Sequence, residues 1–168
     1  VSSLKQLVLN LPDFEPFWHY HPEFELTYII HGSGQRIVGD CIESFFPGDL
    51  VLLGPDLPHT WNSFRDKDDK NMCKAVVFQF GAKLIPETNE IFPEFDGIRR
   101  LLKIAGRGVS FDGKKTDAVG KKLLRLSKIN GLAKLSSFWL LLDELGRIAD
   151  YSLLAGDTYS PSLNKYHG

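Results

Sequence analysis

Residues 18–26, Trp18-His19-Tyr20-His21-Pro22-Glu23-Phe24-Glu25-Leu26, decide how this chain is read. In an extended segment, residues two apart share a face, so His19 and His21 project together. Glu25 lies four residues further on and keeps that face if the pairing continues. A third imidazole, His59, follows Pro55-Asp56-Leu57-Pro58, a stiff approach that can deliver its ring from a neighbouring strand. Three imidazoles and one carboxylate form a mixed nitrogen–oxygen donor set. Such a set suits a divalent transition metal (zinc, iron, manganese, nickel or copper) and leaves coordination positions open to water or a ligand. His19, His21, Glu25 and His59 are therefore the candidate metal ligands. The same residues are also compatible with a strand of hydrogen-bonded histidines under aromatic cover. Two histidines at this spacing are a weak signal, which Glu25 and the remote Pro58-His59 strengthen.

The flanking sequence predicts a β-rich first half. Segments Lys5–Leu9, Pro16–His21, Phe24–His31, Gln35–Val38, Ile42–Phe46, Asp49–Leu53, Thr60–Phe64 and Lys74–Phe80 are rich in β-branched and aromatic residues. Gly32-Ser33-Gly34, Gly39-Asp40, Pro47-Gly48-Asp49 and Gly54-Pro55-Asp56 separate them as turns. Arg65 to Lys70 reads as an exposed hairpin tip. About eight short strands at this spacing imply a sandwich or small barrel. If Glu25 faces its interior, Thr27 and Ile29 share that face, and Trp61 goes with His59. Thr27 and Trp61 thus join His19, His21, Glu25 and His59 as candidate ligand-binding residues, with the Trp61 indole a platform for a sugar or an apolar ring. Arg36 is read as facing solvent, with pairing to an anionic ligand the alternative.

The second half reads as helical. Pro93 and Glu94 suit a first helical turn, and Phe95, Ile98, Leu101, Leu102 and Ala105 follow at helical spacing. Gly106 and Gly108 stop that helix, and Val109–Phe111 returns as a short extended piece. A second helix is expected over Thr116–Asn130 and a third from about Leu132 to Tyr151. The third carries Leu135, Trp139, Leu142, Leu145 and Ala149 on one face. Phe138, Leu140 and Leu141 exceed that stripe, so more than one face needs cover, from the strands and the second helix or from a second copy of the chain. Residues 1–82 are thus expected to form the barrel, 83–151 a helical dimerisation segment, and 152–168 a linker.

With 20 Lys plus Arg against 21 Asp plus Glu, the 168 residues carry a net charge of −1 and no basic footprint for nucleic acid or anionic membrane. The neutral total hides a division. Residues 1–80 hold 6 basic and 11 acidic side chains, and residues 81–168 hold 14 and 10. Lys114, Lys115, Lys121, Lys122, Arg125 and Lys128 gather around the second helix, as a solvated face would. Cys41 and Cys73 form neither a disulfide framework nor a CxxC pair, and a reducing cytoplasm is the expectation. No apolar run is long enough to span a bilayer. The chain starts at Val1, which suggests an excised piece of something longer.

The residues quoted above resemble the cupin family. His19-x-His21-x-x-x-Glu25, with Gly32 after it, is similar to the first cupin motif. Gly39, Pro47-Gly48-Asp49, Pro55-Asp56-Leu57-Pro58-His59 and Asn62 follow the order of the second. The glycine that usually precedes the histidine pair is absent, and the Pro-x-Gly-x-x-His element is altered. The wording from Trp18 to Leu26, with Gly32-Ser33-Gly34, Gly48-Asp49-Leu50-Val51-Leu52-Leu53-Gly54-Pro55 and Leu57-Pro58-His59-Thr60-Trp61, looks like the effector domain of AraC-type transcription regulators. The likeness covers residues of about 10 to 80 and extends more loosely to about 155.

That resemblance implies a mainly β fold, a cupin-like double-stranded β-helix (jelly-roll barrel) followed by about three α-helices. It implies a small-molecule effector in the barrel, a sugar or small organic acid, and a homodimer through the helices. DNA contact would come only through a helix-turn-helix domain absent from these residues. Two other readings stay open. One is a metal-dependent cupin enzyme, an isomerase, epimerase or dioxygenase, using His19, His21, Glu25 and His59. The other is a barrel serving only as a dimerisation platform.

Overall fold

The computed structural model describes residues 3–14, 17–64, 72–87, 91–112 and 114–159. Seven strands come first: β1 (Leu4–Leu11), β2 (Phe24–His31), β3 (Gly34–Val38), β4 (Cys41–Phe45), β5 (Leu50–Leu53), β6 (His59–Ser63) and β7 (Cys73–Phe80). After them come α1 (Asp96–Ile104), β8 (Val109–Phe111), α2 (Lys115–Leu126), α3 (Gly131–Gly146) and β9 (Tyr151–Leu153). The strands pair antiparallel in two sheets, β1-β7-β2-β5-β8-β9 and β4-β3-β6. The chain is mainly β, a cupin-like pair of facing sheets with three helices. The turn residues place the strands because each glycine or proline cluster ends a run that alternates apolar residues between two faces. At one turn the glycine is obligatory: a Cβ on Gly34 would lie 2.0 Å from the Asn62 carbonyl oxygen where β6 pairs with the start of β3.

The middle strands of the larger sheet are covered on both faces, and the two faces do different work. On β2, Leu26 and Tyr28 face the helices, while Glu25, Thr27 and Ile29 face the smaller sheet. On β7, Val76, Phe78 and Phe80 face the helices, while Ala75, Val77 and Gln79 face inward. Phe138 of α3 is fully buried between two of these, stacked on Phe78 at 5.3 Å and edge-on to Phe80 at 5.2 Å between centroids. The apolar surplus of α3 therefore divides. Phe138 and Leu141 enter the common core, and Leu140 stays 70% exposed. The lysines and arginine around α2 are exposed, as expected.

Three expectations are corrected. Residues 17–21 form no strand; their only ladder contact is a bridge between His19 and His59. Pro22 has no N–H to donate, and the His19 and His21 rings bond carbonyls of their own segment, so the segment crosses the barrel end as a strap. Its expected start at Pro16 lies outside the described residues. The third helix ends at Gly146, because Tyr151–Leu153 find backbone partners on β8 and extend the sheet. For the same reason residues 152–155 are not linker: Leu154 and Ala155 are buried against Val38, Val51, Leu53 and Leu57. The hairpin tip Arg65 to Lys70 and the linker residues 160–168 lie outside the described residues. Among the described residues, no helix is long and apolar enough to cross a membrane.

Candidate functional site

The strap is fastened at few points. The His19 N–H donates to the His59 carbonyl (3.3 Å) and the His59 N–H to the His19 carbonyl (2.9 Å). The Asp56 N–H donates to the His21 carbonyl (2.8 Å), with Asp56 in the left-handed region at φ 59°, which aspartate tolerates. These contacts bring His19 and His21 over Glu25 of β2 and His59 of β6. One ligand atom from each of the four lies within 4.8 Å of the others.

The ring orientations follow from the carbonyls. Nδ1 of His19 meets the Phe17 carbonyl at 2.6 Å, Nδ1 of His21 the Glu23 carbonyl at 3.1 Å, and Nδ1 of His59 the Leu57 carbonyl at 2.7 Å. A carbonyl only accepts, so each Nδ1 carries the hydrogen and a neutral ring offers its lone pair at Nε2. Nε2 of His21 lies 2.9 Å from Oε2 of Glu25, and Nε2 of His59 lies 3.6 Å from the same oxygen. Two acceptors at 2.9 Å need a positive charge between them, a proton or a metal. The hydrogen bond to Glu25 accordingly raises the His21 pKa above the ordinary histidine value, against the opposing effect of burial. Burial pushes the Glu25 carboxyl up, yet contacts with His21, His59 and the Gln79 amide overcome it and hold the group below the usual carboxylate range. The fully buried Nε2 of His59 has no hydrogen-bond partner among the described residues. An orphaned imidazole nitrogen beside a carboxylate, with three rings fixed in the ligating tautomer, fits a metal ion. The remaining support is local: the Thr27 hydroxyl donates to Oε1 of Glu25 (2.9 Å) and the Gln79 amide to Oε2 (3.0 Å).

Behind this polar cluster is a cavity of about 250 Å³ between the two sheets. Its walls are Leu7, Leu9 and Leu11 of β1, Ala75 and Val77 of β7, and Ile29 of β2, with Phe14 and Trp61 beside them. His19, Glu25, Thr27 and Gln79 form its polar end. The half-buried Trp61 stands edge-on to His59 at 5.7 Å between centroids, and its indole N–H has no partner among the described residues.

The structure therefore gathers His19, His21, Glu25 and His59 into one cluster, with Thr27 and Trp61 on the adjoining cavity. Gln79 and the leucines of β1 escaped the sequence reading. Gln79 lies directly opposite Glu25 across β2 and β7, a register set by strands some fifty residues apart. The alternation Leu7, Leu9, Leu11 was visible, but nothing local said which face it lined. Arg36 is a correction: it is 2% exposed and not solvent-facing. Register places it beside Trp61 and opposite Glu43, and its guanidinium pairs with Asp49 at 3.0 and 3.3 Å and with Glu43 at 3.4 Å. Burial pushes the Asp49 carboxyl up despite that pairing. Cys41 and Cys73 are free thiols.

No protein-family model matches the sequence, and no curated protein matches it. Solved structures do. The AraC-like transcriptional activator CuxR superposes on 94% of this chain with a TM-score of 0.60 and 6% identity. The fold is shared with AraC-like regulators. Apo ToxT K231A from Vibrio cholerae matches 86% of the chain at a TM-score of 0.57 and 12% identity. ToxT bound to an unsaturated fatty acid matches 96% at 0.56 and 11%. The chain spans 55% of the length of CuxR and of apo ToxT, and 61% of the fatty-acid complex. The AraC-like fold thus takes in both sheets and the helices against them.

Proposed function

We propose that these residues are the ligand-sensing and dimerisation domain of an AraC-type transcription regulator of the cytoplasm. One observation carries this reading: strands β2 and β7, which wall the cavity with one face, support α2 and α3 with the other. An effector that displaces Thr27, Ala75 or Val77 changes the surface under Tyr28, Phe78 and Phe80, and so the seat of the helices. For that to be a signal, the effector must bind one helix arrangement better than another. A regulator can use such a floor to carry a signal from the cavity to the helices. The exposed Leu132 and Leu140 on α3 support the helices as the dimer contact. DNA would be read by a helix-turn-helix domain outside these residues.

The cavity lining favours an apolar or amphipathic effector over a sugar, whose hydroxyls would face leucine, valine and alanine without partners. ToxT has been solved with an unsaturated fatty acid bound, and an unsaturated fatty acid is the first probe to use. At about a hundred times its Kd a ligand adds ~2.7 kcal/mol to stability, a rise of about 5–10 °C in Tm for a domain of this size. Hydrogen exchange should slow in β7 and in α3 together. Stabilisation with no change in α2 or α3 would mean a binding barrel without a sensor's output.

The second reading is a metal-dependent cupin enzyme, favoured by the donor cluster alone. His19, His21 and His59 through Nε2 and Glu25 through its carboxylate would hold a divalent zinc, iron, manganese or nickel ion. A bound ion there would supply Lewis-acid polarisation of a ligand oxygen. Thr27 and Gln79 would orient Glu25, and the strap would cover the ion on its outer side. Turnover of a carbonyl or hydroxy-acid substrate by the metal-loaded protein would favour this reading.

A further inference from the structure

Outside the barrel cavity, a larger groove of about 830 Å³ opens between the barrel mouth and α3. Its apolar part is made by Phe80, Leu84, Leu135 and Trp139, Lys5 and Lys83 line it as well, and on the barrel side it reaches Gln79 and His21 of the donor cluster. Lys5, Gln79 and Glu25 are direct cross-strand neighbours on β1, β7 and β2, so Lys5 sits at the mouth end of the row that bears the donor cluster. Lys83 comes from the turn after β7. Neither lysine has a carboxylate partner among the described residues. The acid in the groove, Glu23, lies 3.4 Å from the His21 ring. Trp139 already donates its indole N–H to the Leu84 carbonyl (3.1 Å), which leaves its ring as apolar surface.

We propose that this groove is a second small-molecule site, selective for an aromatic or compact apolar anion, with Lys5 and Lys83 binding the charge and Trp139 and Leu135 the apolar body. Charge complementarity chooses the ligand. Lys5 stands in the acidic first 80 residues, with 6 basic side chains against 11 acidic ones, and Lys83 lies just beyond them. With no carboxylate partner for either among the described residues, the pair gives the groove positive charge to match an anion. The site goes beyond the cavity reading and does not depend on it. It touches the sheet and α3 at once, so its occupant contacts the helix without an intervening strand.

The test is an amide NMR titration of the full chain with 2-naphthoate and with its neutral counterpart 2-naphthalenemethanol. Naphthoate should shift the Trp139 indole N–H and the Gly81 amide saturably. The alcohol should bind about tenfold more weakly, the difference two exposed ion pairs supply. In the Lys5→Glu, Lys83→Glu double variant that preference should vanish while thermal unfolding stays unchanged. Equal affinity for the two probes, or no saturable shift, overturns the proposal. Shifts confined to Thr27, Ala75 and Val77 overturn it too, and would show an anion in the barrel cavity instead.

Discussion

His21 and Glu25 show most sharply what one pair of side chains demands. Their 2.9 Å contact needs a positive charge between two acceptors, so metal and proton compete for one position. Metal uptake should therefore release protons, and affinity should fall with acidification as His21, whose pKa is raised, takes up its proton. We expect zinc affinity at pH 6 to be tenfold or more below that at pH 8 by competition with a chromophoric chelator, since each proton displaced costs up to about one decade per pH unit below the pKa of its group. A flat profile would mean that His21 is not a ligand. His21→Ala and Glu25→Gln should each abolish stoichiometric metal, read by elemental analysis of protein purified without a metal-affinity tag. Much of this cluster was legible in residues 18–26 and 59 as residue types: alternation along β2 places Glu25 with Thr27, and a stiff proline approach precedes His59. His19 and His21, by contrast, reach the cluster from the strap and not by the strand alternation expected of them. The tautomers were not legible, since they depend on which carbonyl each Nδ1 meets. Arg36 was misread because its partner Asp49 is thirteen residues away, immediately before β5 of the facing sheet, a contact that no local pattern encodes.

Among the elements, α2 and α3 are tied to the sheet by contacts of unusual closeness. A Cβ on Gly120 would come within 2.2 Å of the Tyr28 ring, whose hydroxyl also donates to Asp117 at 3.2 Å. Gly120→Ala must push α2 away from β2, at a cost of about 1–3 kcal/mol despite the better helix former. Phe138→Ala should cost about 3–5 kcal/mol, a fall in Tm of about 10 °C or more for a domain of this length. Denaturant titration measures both, and values below 1 kcal/mol would mean that the helices lie loosely on the sheet. Strands between glycine and proline turns were readable, and so was the return at Val109–Phe111. The strap and β9 were not. A histidine-rich aromatic run resembles a strand until its rings take up the local carbonyls, and Tyr151–Leu153 becomes a strand only because β8 offers a free edge.

For the whole molecule, the neutral charge conceals an acidic barrel half and basic helices. Assembly is the property to test at this scale. The groove between α2 and α3, about 320 Å³, is lined by Leu126, Ile129, Leu140 and Leu141 with Lys122, Arg125 and Glu144, and Leu132 of α3 is exposed as well. We expect a dimer at tens of micromolar by light scattering. Leu140→Glu should give a monomer with unchanged unfolding, because that side chain is 70% exposed within one copy. A wild-type monomer at that concentration would remove the helices from the dimer proposal.

The parity of β7 has one more consequence. Ala75 and Val77 answer to whatever occupies the barrel, and Val76 and Phe78 answer to the helices, so no position from 75 to 78 serves both, while Gln79 and Phe80 meet on the groove beside α3. What is recognised and what is reported are written on alternate letters of the same short text. Recognition can therefore drift, or be rewritten in the laboratory, by changing odd-numbered letters while the response carried by the even ones is kept.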